Sequence, residues 1–130
     1  MALAKILFID DNSALRLSLS ARLRSSGYDV TAVGSGQDGL NATKSQSFDL
    51  ILLDMLMPQQ DGITTYQAFR AVEATRNVPV ILFTAMAVEG HWEQLQDDVG
   101  GLCFVMGKPY DLSLLLGRIS QLLNGSQEAS

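Results

Sequence analysis

The segment FDLILLD, residues 48–54, holds four consecutive large apolar residues and ends in an aspartate. An unbroken apolar run of this length is typical of a strand that is covered on both faces, as in a parallel sheet. Because a carboxylate is costly inside such a core, we expect Asp54 to lie where the strand leaves the core and meets a loop. The following segment, MLMPQQDG at residues 55–62, contains the proline and glycine that shape loops.

Similar apolar runs recur along the whole chain and alternate with amphipathic segments. The predicted strands are Lys5–Ile9, Tyr28–Val33, Leu50–Leu53, Val80–Phe83 and Leu102–Met106. The segment after the first strand carries Leu15, Leu19 and Leu23 at helical spacing. We therefore predict five βα units with short connections, which form a three-layer α/β sandwich around a parallel sheet.

Capping residues mark the ends of the first and last predicted helices. Ser13 is the candidate N-cap of the first helix, and Gly27 is the residue that stops it. The last helix has a broad apolar stripe and is predicted to end at Gly125. We accordingly predict a single domain over residues 1–124 and a short polar tail over residues 125–130.

Composition excludes several classes of protein. The 130 residues are 47% hydrophobic and 18% charged, which is typical of a folded domain and not of a disordered chain. The net charge is −5 and no basic run occurs, so we expect no direct contact with nucleic acid. No apolar stretch is long enough to span a bilayer. Cys103 is the only cysteine, so no internal disulfide can form, and a cytoplasmic location is expected.

Acidic residues follow two of the predicted strands at the point where each strand ends. Asp10 and Asp11 come directly after the first strand, and Asp54 ends the third. The carboxyl ends of neighbouring parallel strands meet in one crevice, which is where open α/β sheets bind ligands. Three clustered carboxylates repel each other unless a cation lies among them, and Mg²⁺ is a hard cation that prefers such oxygen ligands.

Two further strand ends carry a hydroxyl and an amine. Thr84 follows the fourth strand, and Lys108 follows the fifth. A lysine ammonium neutralises phosphate oxygens and a threonine hydroxyl donates a hydrogen bond to one of them, which is what phosphoryl transfer requires. In this arrangement Asp54 would be the nucleophile that accepts the phosphoryl group.

Taken together, these residues resemble the receiver domain of two-component response regulators over essentially the whole chain. The matching positions are Asp10-Asp11, Asp54, Pro58, Asp61-Gly62, Thr84-Ala85 and Lys108-Pro109. The resemblance implies a flavodoxin-like sheet of strand order 2-1-3-4-5. It also implies a phosphorylation switch in which Asp54 accepts phosphoryl from a phosphohistidine, with Thr84 and Lys108 beside it.

The same resemblance implies a metal site and partners. Asp11, Asp54 and the backbone carbonyl of Leu56 would bind Mg²⁺ directly, and Asp10 would act mainly through water. The phosphoryl donor would be a sensor histidine kinase or a phosphotransfer protein, and the output would pass to a further protein or to a phosphorylation-dependent homodimer. The chain would therefore be a regulatory phosphoacceptor, limited to its own phosphorylation and dephosphorylation, and not an enzyme with a separate substrate.

The chain departs from the family three residues before Lys108. Receivers usually carry an aromatic residue there, whereas this chain has Val105. Phe104 is one residue earlier, and an offset of one residue in a strand points a side chain to the opposite face. We therefore expect Phe104 not to replace the missing aromatic. Leu56 and Met86 are apolar positions near the expected acyl phosphate, and they predict a long-lived phosphoryl group.

Two alternatives remain from the sequence. Gly34, Gly36 and Gly39 form a G-x-G-x-x-G motif between a predicted strand and a predicted helix, which is the context of a nucleotide-binding loop. That reading leaves Asp10, Asp11, Thr84 and Lys108 without a role. The other alternative is a degenerate receiver that serves only as a protein-docking module, against which the complete set of site residues argues.

Overall fold

A computed structural model describes residues 3–54, 56–57, 60–84, 103–107 and 111–128. Its strands are β1 Lys5–Ile9, β2 Asp29–Val33, β3 Leu50–Asp54, β4 Leu56–Met57, β5 Gln60–Asp61, β6 Val80–Thr84 and β7 Cys103–Gly107. Five of them form one parallel sheet in the order β2-β1-β3-β6-β7. Since β6 and β7 are the fourth and fifth strands of that sheet, the expected order 2-1-3-4-5 is confirmed.

The short strands β4 and β5 were not predicted. They pair antiparallel, with Leu56 opposite Asp61 and Met57 opposite Gln60. Each strand has only two residues, which is too short for an alternating pattern to appear in the sequence. This hairpin connects Asp54 to the helix that follows it.

The described helices are α1 Ser13–Ser25, α2 Gly36–Ser45, α3 Gly62–Ala71 and α4 Leu112–Glu128. The predicted N-cap of α1 is wrong by one residue: Asn12 is the cap, and its side chain accepts a 3.0 Å hydrogen bond from the Leu15 amide. Ser13 is already helical, because the chain leaves its extended conformation one residue earlier. An amide oxygen serves this position as well as a serine hydroxyl does.

The predicted stop of α1 is confirmed. Gly27 has a φ of +96°, a left-handed conformation that other residues adopt only at a cost. Its amide donates to the carbonyl of Arg24, and the Tyr28 amide donates to the carbonyl of Leu23. These two bonds form a Schellman motif that satisfies the last carbonyls of the helix.

The predicted end of α4 at Gly125 is wrong, because the helix continues to Glu128. A glycine inside a helix costs only about 1 kcal/mol relative to alanine, which is not enough to end a helix by itself. The division of the chain at residue 124 into a domain and a tail stays a prediction.

The sheet separates two hydrophobic clusters. Along β1, Ile6 and Phe8 belong to the cluster that contains residues of α1 and α4, whereas Leu7 and Ile9 belong to the cluster that contains residues of α3. All four side chains are fully buried. The predicted three-layer sandwich is therefore confirmed, and its burial on both faces explains why the strands read as continuous apolar runs. Among the described helices, none combines the length and the apolarity needed to cross a bilayer.

Candidate functional site

The three predicted carboxylates converge at the carboxyl end of the sheet. Ile9 pairs with Leu53 in neighbouring strands, so Asp10 and Asp54 follow at the same level. Carboxylate oxygens of Asp10, Asp11 and Asp54 lie within 4.8 Å of one another. Asp10 and Asp54 are 0% and 4% exposed, whereas Asp11 is exposed. The site thus has two buried acids and one acid that is open to solvent.

Three hydrogen bonds from described residues hold Asp10, two at its backbone and one at its carboxylate. Its amide donates to the carbonyl of Val33 at 3.1 Å, which extends the pairing of β1 with β2. Its carboxylate Oδ1 accepts from the Asn12 amide at 2.9 Å. Its carbonyl accepts from Nη1 of Arg16 at 2.7 Å. Asp10 is therefore fixed from β2, from the start of α1 and from one turn further along α1.

The donor set fits a hard divalent cation. Carboxylate oxygens are the ligands that Mg²⁺ and Ca²⁺ prefer. Two of the three carboxylates are buried, and like charges this close together are unfavourable without a compensating cation. Among the described residues, Asp10, Asp11 and Asp54 are the group of acids, histidines and cysteines that are close enough to hold a metal ion.

The remaining predicted site residues are placed only in part. Thr84 ends β6 and pairs with Gly107 at the end of β7. Lys108 follows Gly107 in the sequence and lies outside the described residues, as do Met86 and Pro109. Leu56 begins β4, two residues after Asp54. The backbone thus brings the ends of β3, β6 and β7 to the same edge of the sheet.

The glycine-rich segment has a structural role in packing. Gly39 lies so close to β1 that an added Cβ atom would meet Cδ1 of Ile9 at 2.5 Å. At Gly34 an added Cβ atom would meet Nη1 of Arg16 at 3.0 Å. Ser35 caps α2 by accepting a 3.1 Å hydrogen bond from the Asp38 amide. Helix packing and capping therefore explain the spacing of this motif without a bound nucleotide.

Phe104 lies on the face of the sheet that α1 and α4 cover. It packs with the cluster that contains Leu115, and the guanidinium carbon of Arg118 lies 5.0 Å from its ring centroid. Cys103, the neighbouring residue in β7, belongs to the cluster on the opposite face. Phe104 is therefore committed to the face of the sheet that α1 and α4 cover, opposite to the face of Cys103.

Arg16 and Asn12 contact the site but were missed as site residues. Asn12 is recognisable from sequence only as a cap type that follows two aspartates. Arg16 is one arginine on an amphipathic helix, and no spacing rule predicts that its guanidinium reaches back to a strand end. The hydrogen bond to the Asp10 carbonyl is a tertiary contact that becomes visible only in the folded chain.

Comparison with known proteins identifies the family. Residues 6–120 match the response regulator receiver domain. The transcriptional activator protein PfeR of Pseudomonas aeruginosa is 35% identical over 125 residues, which cover 92% of this chain and 37% of PfeR. The chain belongs to the response regulator receiver domain family, whose members are phosphoacceptors of two-component signal transduction. It spans less than half the length of the first curated relatives that it matches.

Solved structures agree with this assignment. The chemotaxis protein CheY4 of Vibrio cholerae superposes with a TM-score of 0.84 at 27% identity, covering 94% of this chain and 100% of CheY4. The receiver domain of the sensor histidine kinase PA1611 of Pseudomonas aeruginosa has a TM-score of 0.78 at 34% identity, covering 95% of this chain and 99% of that domain. The PA1611 domain carries a coordinated magnesium ion in its active-site cleft.

Proposed function

We propose that Asp54 is the residue that accepts the phosphoryl group. The observation that carries this proposal is the convergence of the Asp10, Asp11 and Asp54 oxygens within 4.8 Å at the carboxyl edge of the sheet. Asp54 is the central member, because β3 lies between β1 and β6. Transfer moves the phosphoryl group from a donor nitrogen to an oxygen of Asp54, which leaves an acyl phosphate on the carboxylate.

Asp10, Asp11 and Asp54 would hold Mg²⁺, together with the backbone carbonyl of Leu56 in the arrangement that the family implies. When bound, the ion supplies positive charge that offsets the carboxylates and the incoming phosphate. The magnesium-bound PA1611 domain, at 34% identity, supports the choice of this ion. Asp10 would act mainly through water, and hydrogen bonds at its amide, its carbonyl and its carboxylate Oδ1 fix its position.

Thr84 and Lys108 complete the proposed site. Thr84 pairs with Gly107, which precedes Lys108 in the sequence, so the two expected phosphate contacts would lie at neighbouring strand ends. A hydroxyl that donates one hydrogen bond and an ammonium that supplies charge would position the phosphate oxygens. Both roles rest on the family pattern and on this backbone register.

We further propose that the domain is a switch and not an enzyme with a separate substrate. Phosphorylation converts the Asp54 carboxylate, with one negative charge, into an acyl phosphate with up to two, so it adds about one net negative charge to the acidic edge of the sheet. That change biases the loops at this edge between two conformations. The phosphoryl donor would be a sensor histidine kinase or a phosphotransfer protein. The phosphorylated domain would then bind a partner protein or a second copy of the chain. A single cysteine and no internal disulfide fit a cytoplasmic location.

The direct test is the intact mass of the protein after incubation with acetyl phosphate and Mg²⁺. We expect one added phosphoryl group in the unmodified chain and none in Asp54→Asn or in the presence of EDTA. Asp29→Asn is the matched control, because Asp29 is an exposed aspartate at the amino end of β2, the opposite end of the sheet. This variant should be phosphorylated like the parent.

Two results would contradict the proposal. Phosphoryl addition that persists in Asp54→Asn would place the acceptor elsewhere. Absence of any addition, in a chain whose circular dichroism spectrum shows that it is folded, would favour the docking-module alternative. Binding of a nucleotide that persists in Asp54→Asn and in the presence of EDTA would instead favour the nucleotide-binding alternative.

A further inference from the structure

Three successive peptide groups at the end of β1 are each held by a hydrogen bond. The amide of Asp10 belongs to the peptide group that follows Ile9, and it donates to the carbonyl of Val33 at 3.1 Å. The carbonyl of Asp10 belongs to the next peptide group, and it accepts from Nη1 of Arg16 at 2.7 Å. The amide of Asn12 belongs to the third, and it donates to Oδ1 of Asp10 at 2.9 Å. The backbone is therefore fixed at every peptide group from Ile9 to Asn12.

The middle peptide group is the one that Asp10 and Asp11 share. A peptide group is planar, so the backbone at a residue changes only by rotation of the two planes that meet at its Cα atom. The plane that Arg16 holds meets the preceding plane at Asp10 and the following plane at Asp11. Its orientation therefore sets the directions in which both acidic side chains leave the backbone. Each of the two outer planes adjoins only one of these acids.

The guanidinium of Arg16 packs against the first glycine of the G-x-G-x-x-G motif. The backbone of Arg16 is fixed in the first turn of α1, where its amide donates to the carbonyl of Asn12 at 3.0 Å. An added Cβ atom at Gly34 would meet Nη1 of Arg16 at 3.0 Å, Cζ at 3.5 Å and Nη2 at 3.8 Å. The φ of Gly34 is not positive, so its backbone does not require a glycine. Space for the guanidinium is what the missing side chain provides.

The charge of Arg16 and its hydrogen bond have opposite effects on a metal site. A cation near a site that binds Mg²⁺ repels the ion, so the charge alone weakens metal binding. The hydrogen bond fixes the peptide group between two of the carboxylates, and groups that orient metal ligands commonly change metal affinity about 10–100-fold. The sign of the change in affinity when Arg16 is replaced therefore shows which effect is larger.

We propose that Arg16 is the positioning residue of the acidic site and that Gly34 provides the space for its guanidinium. Arg16 acts through the peptide group that joins Asp10 and Asp11, and it contacts neither the ion nor the phosphoryl group. The inference rests on the proposed magnesium site and adds the residue that sets its affinity. It also gives the first glycine of the motif a part in metal binding, by way of Arg16.

The test measures Mg²⁺ binding to the full ¹⁵N-labelled chain without a phosphoryl donor, by following the amide signals in NMR titrations. Arg16→Gln should raise the dissociation constant about tenfold, although loss of the positive charge alone would lower it. Arg16→Lys keeps the charge and a donor, so it should raise the constant by less. Arg22→Gln removes the same charge from an exposed position on the same helix and should stay within about twofold of the parent.

Gly34→Ala tests the same contact from its other side. The added methyl group displaces the guanidinium, so this change should raise the dissociation constant severalfold in the parent chain. It should have no further effect in the Arg16→Gln background, because the group that it displaces is already absent. A double-mutant cycle of these two positions therefore measures the part of the affinity that Gly34 contributes through Arg16.

Hydrogen exchange in EDTA gives a readout that does not depend on the metal. Arg16→Gln should speed exchange of the Asp10 and Asn12 amides severalfold. The amide of Leu7, in the middle of β1, should exchange as in the parent. Faster exchange at all three amides would show that Arg16 stabilises the fold as a whole, and this result would overturn the positioning role.

The binding measurements can also overturn the proposal. If the parent chain binds Mg²⁺ and Arg16→Gln binds it equally or more tightly, Arg16 does not position the acids, while the proposed metal site is kept. An equal effect of Gly34→Ala in both backgrounds would show that the glycine acts independently of Arg16. A folded parent chain that binds no Mg²⁺ would overturn the proposed metal site, and the role of Arg16 with it.

Discussion

Gly39 determines how closely α2 can pack against the sheet. It lies on α2 where the helix crosses β1, and an added Cβ would meet Cδ1 of Ile9 at 2.5 Å and Cζ of Phe69 at 3.4 Å. Ile9 and Phe69 are both fully buried in the same cluster, so neither can move aside without disturbing its neighbours. The absence of a side chain at position 39 is therefore what allows α2 to approach the strand that precedes Asp10.

Replacing this glycine should destabilise the fold. We expect Gly39→Ala to lower the free energy of unfolding by about 1–3 kcal/mol, as overpacking of a core does. Gly117→Ala is the control, because Gly117 lies on the exposed side of α4 with nothing within 4 Å of an added Cβ. That change should raise the free energy of unfolding by about 0.5–1 kcal/mol. Urea denaturation of both variants measures the difference, and a neutral Gly39→Ala would show that the layers can separate freely.

At the scale of elements, Arg70 joins the end of α3 to the segment that leads into β6. Its Nη1 donates to the carbonyls of Thr75, Arg76 and Val78 at 3.1, 3.2 and 2.7 Å. Its Nε donates to the Tyr66 hydroxyl at 3.1 Å, and its guanidinium carbon lies 4.9 Å from the centroid of that ring. One side chain therefore satisfies three carbonyls of an irregular segment and fixes the start of a central strand.

A lysine cannot reproduce this contact, because an ammonium is a point charge without the planar set of donors. We expect Arg70→Lys to lower the free energy of unfolding by about 1–3 kcal/mol, since it leaves carbonyls without their partner. The exposed Arg76→Lys is the conservative counterpart and should stay within about 0.5 kcal/mol of the parent. Equal stability of the two variants would mean that water replaces the guanidinium at no cost.

The sequence predicts elements well where one physical rule decides them. Buried parallel strands must be apolar throughout, so all five strands of the sheet were placed within about one residue at each end. The hairpin of β4 and β5 was missed because two-residue strands have no periodicity, and the end of α4 was misplaced because one glycine does not outweigh a long apolar stripe. Local patterns therefore predict which elements exist, while tertiary contacts determine where several of them end.

At the scale of the whole molecule, the candidate site was predictable for a topological reason. Parallel strands in adjacent positions must bring their carboxyl ends together, so the aspartates that follow the first and third strands were expected to meet. The residues that support them were not predictable in the same way. Arg16 reaches Asp10 across the boundary between a helix and a strand, and no sequence spacing encodes that distance.

The stability of the whole domain should depend on pH above neutrality through its buried acids. Burial raises the pKa of the Cys103 thiol to about 11, and burial likewise raises the pKa of Tyr66, whose hydroxyl lies beside that thiol. Between the ordinary pKa of Cys103, 9.0, and its folded value, the folded state holds a proton that the unfolded state has lost. The contribution of Cys103 to the free energy of unfolding is therefore fully present below about pH 9 and is lost as the pH rises toward 11.

We expect the free energy of unfolding to fall between pH 8.5 and 10.5, with at most about 2–3 kcal/mol of the loss coming from Cys103. Urea denaturation in reducing buffer at several pH values measures this slope. Cys103→Ala should show a shallower slope, while the contribution of Tyr66 remains. Parallel slopes in the two proteins would show that the thiol is not responsible.

The hydrogen bond that Arg24 donates to the carbonyl of Val30 affects how copies of the chain associate at high concentration. β2 ends the described sheet, and since Asp29 and Val33 direct their backbone groups to the β1 side, the carbonyl of Val30 between them points outward. Unpaired backbone groups on an edge strand are a template with which a strand of another molecule can pair. The guanidinium of Arg24 occupies the Val30 carbonyl, so an incoming strand cannot form its hydrogen bond there. Arg24 thus protects the domain from aggregation through its open edge.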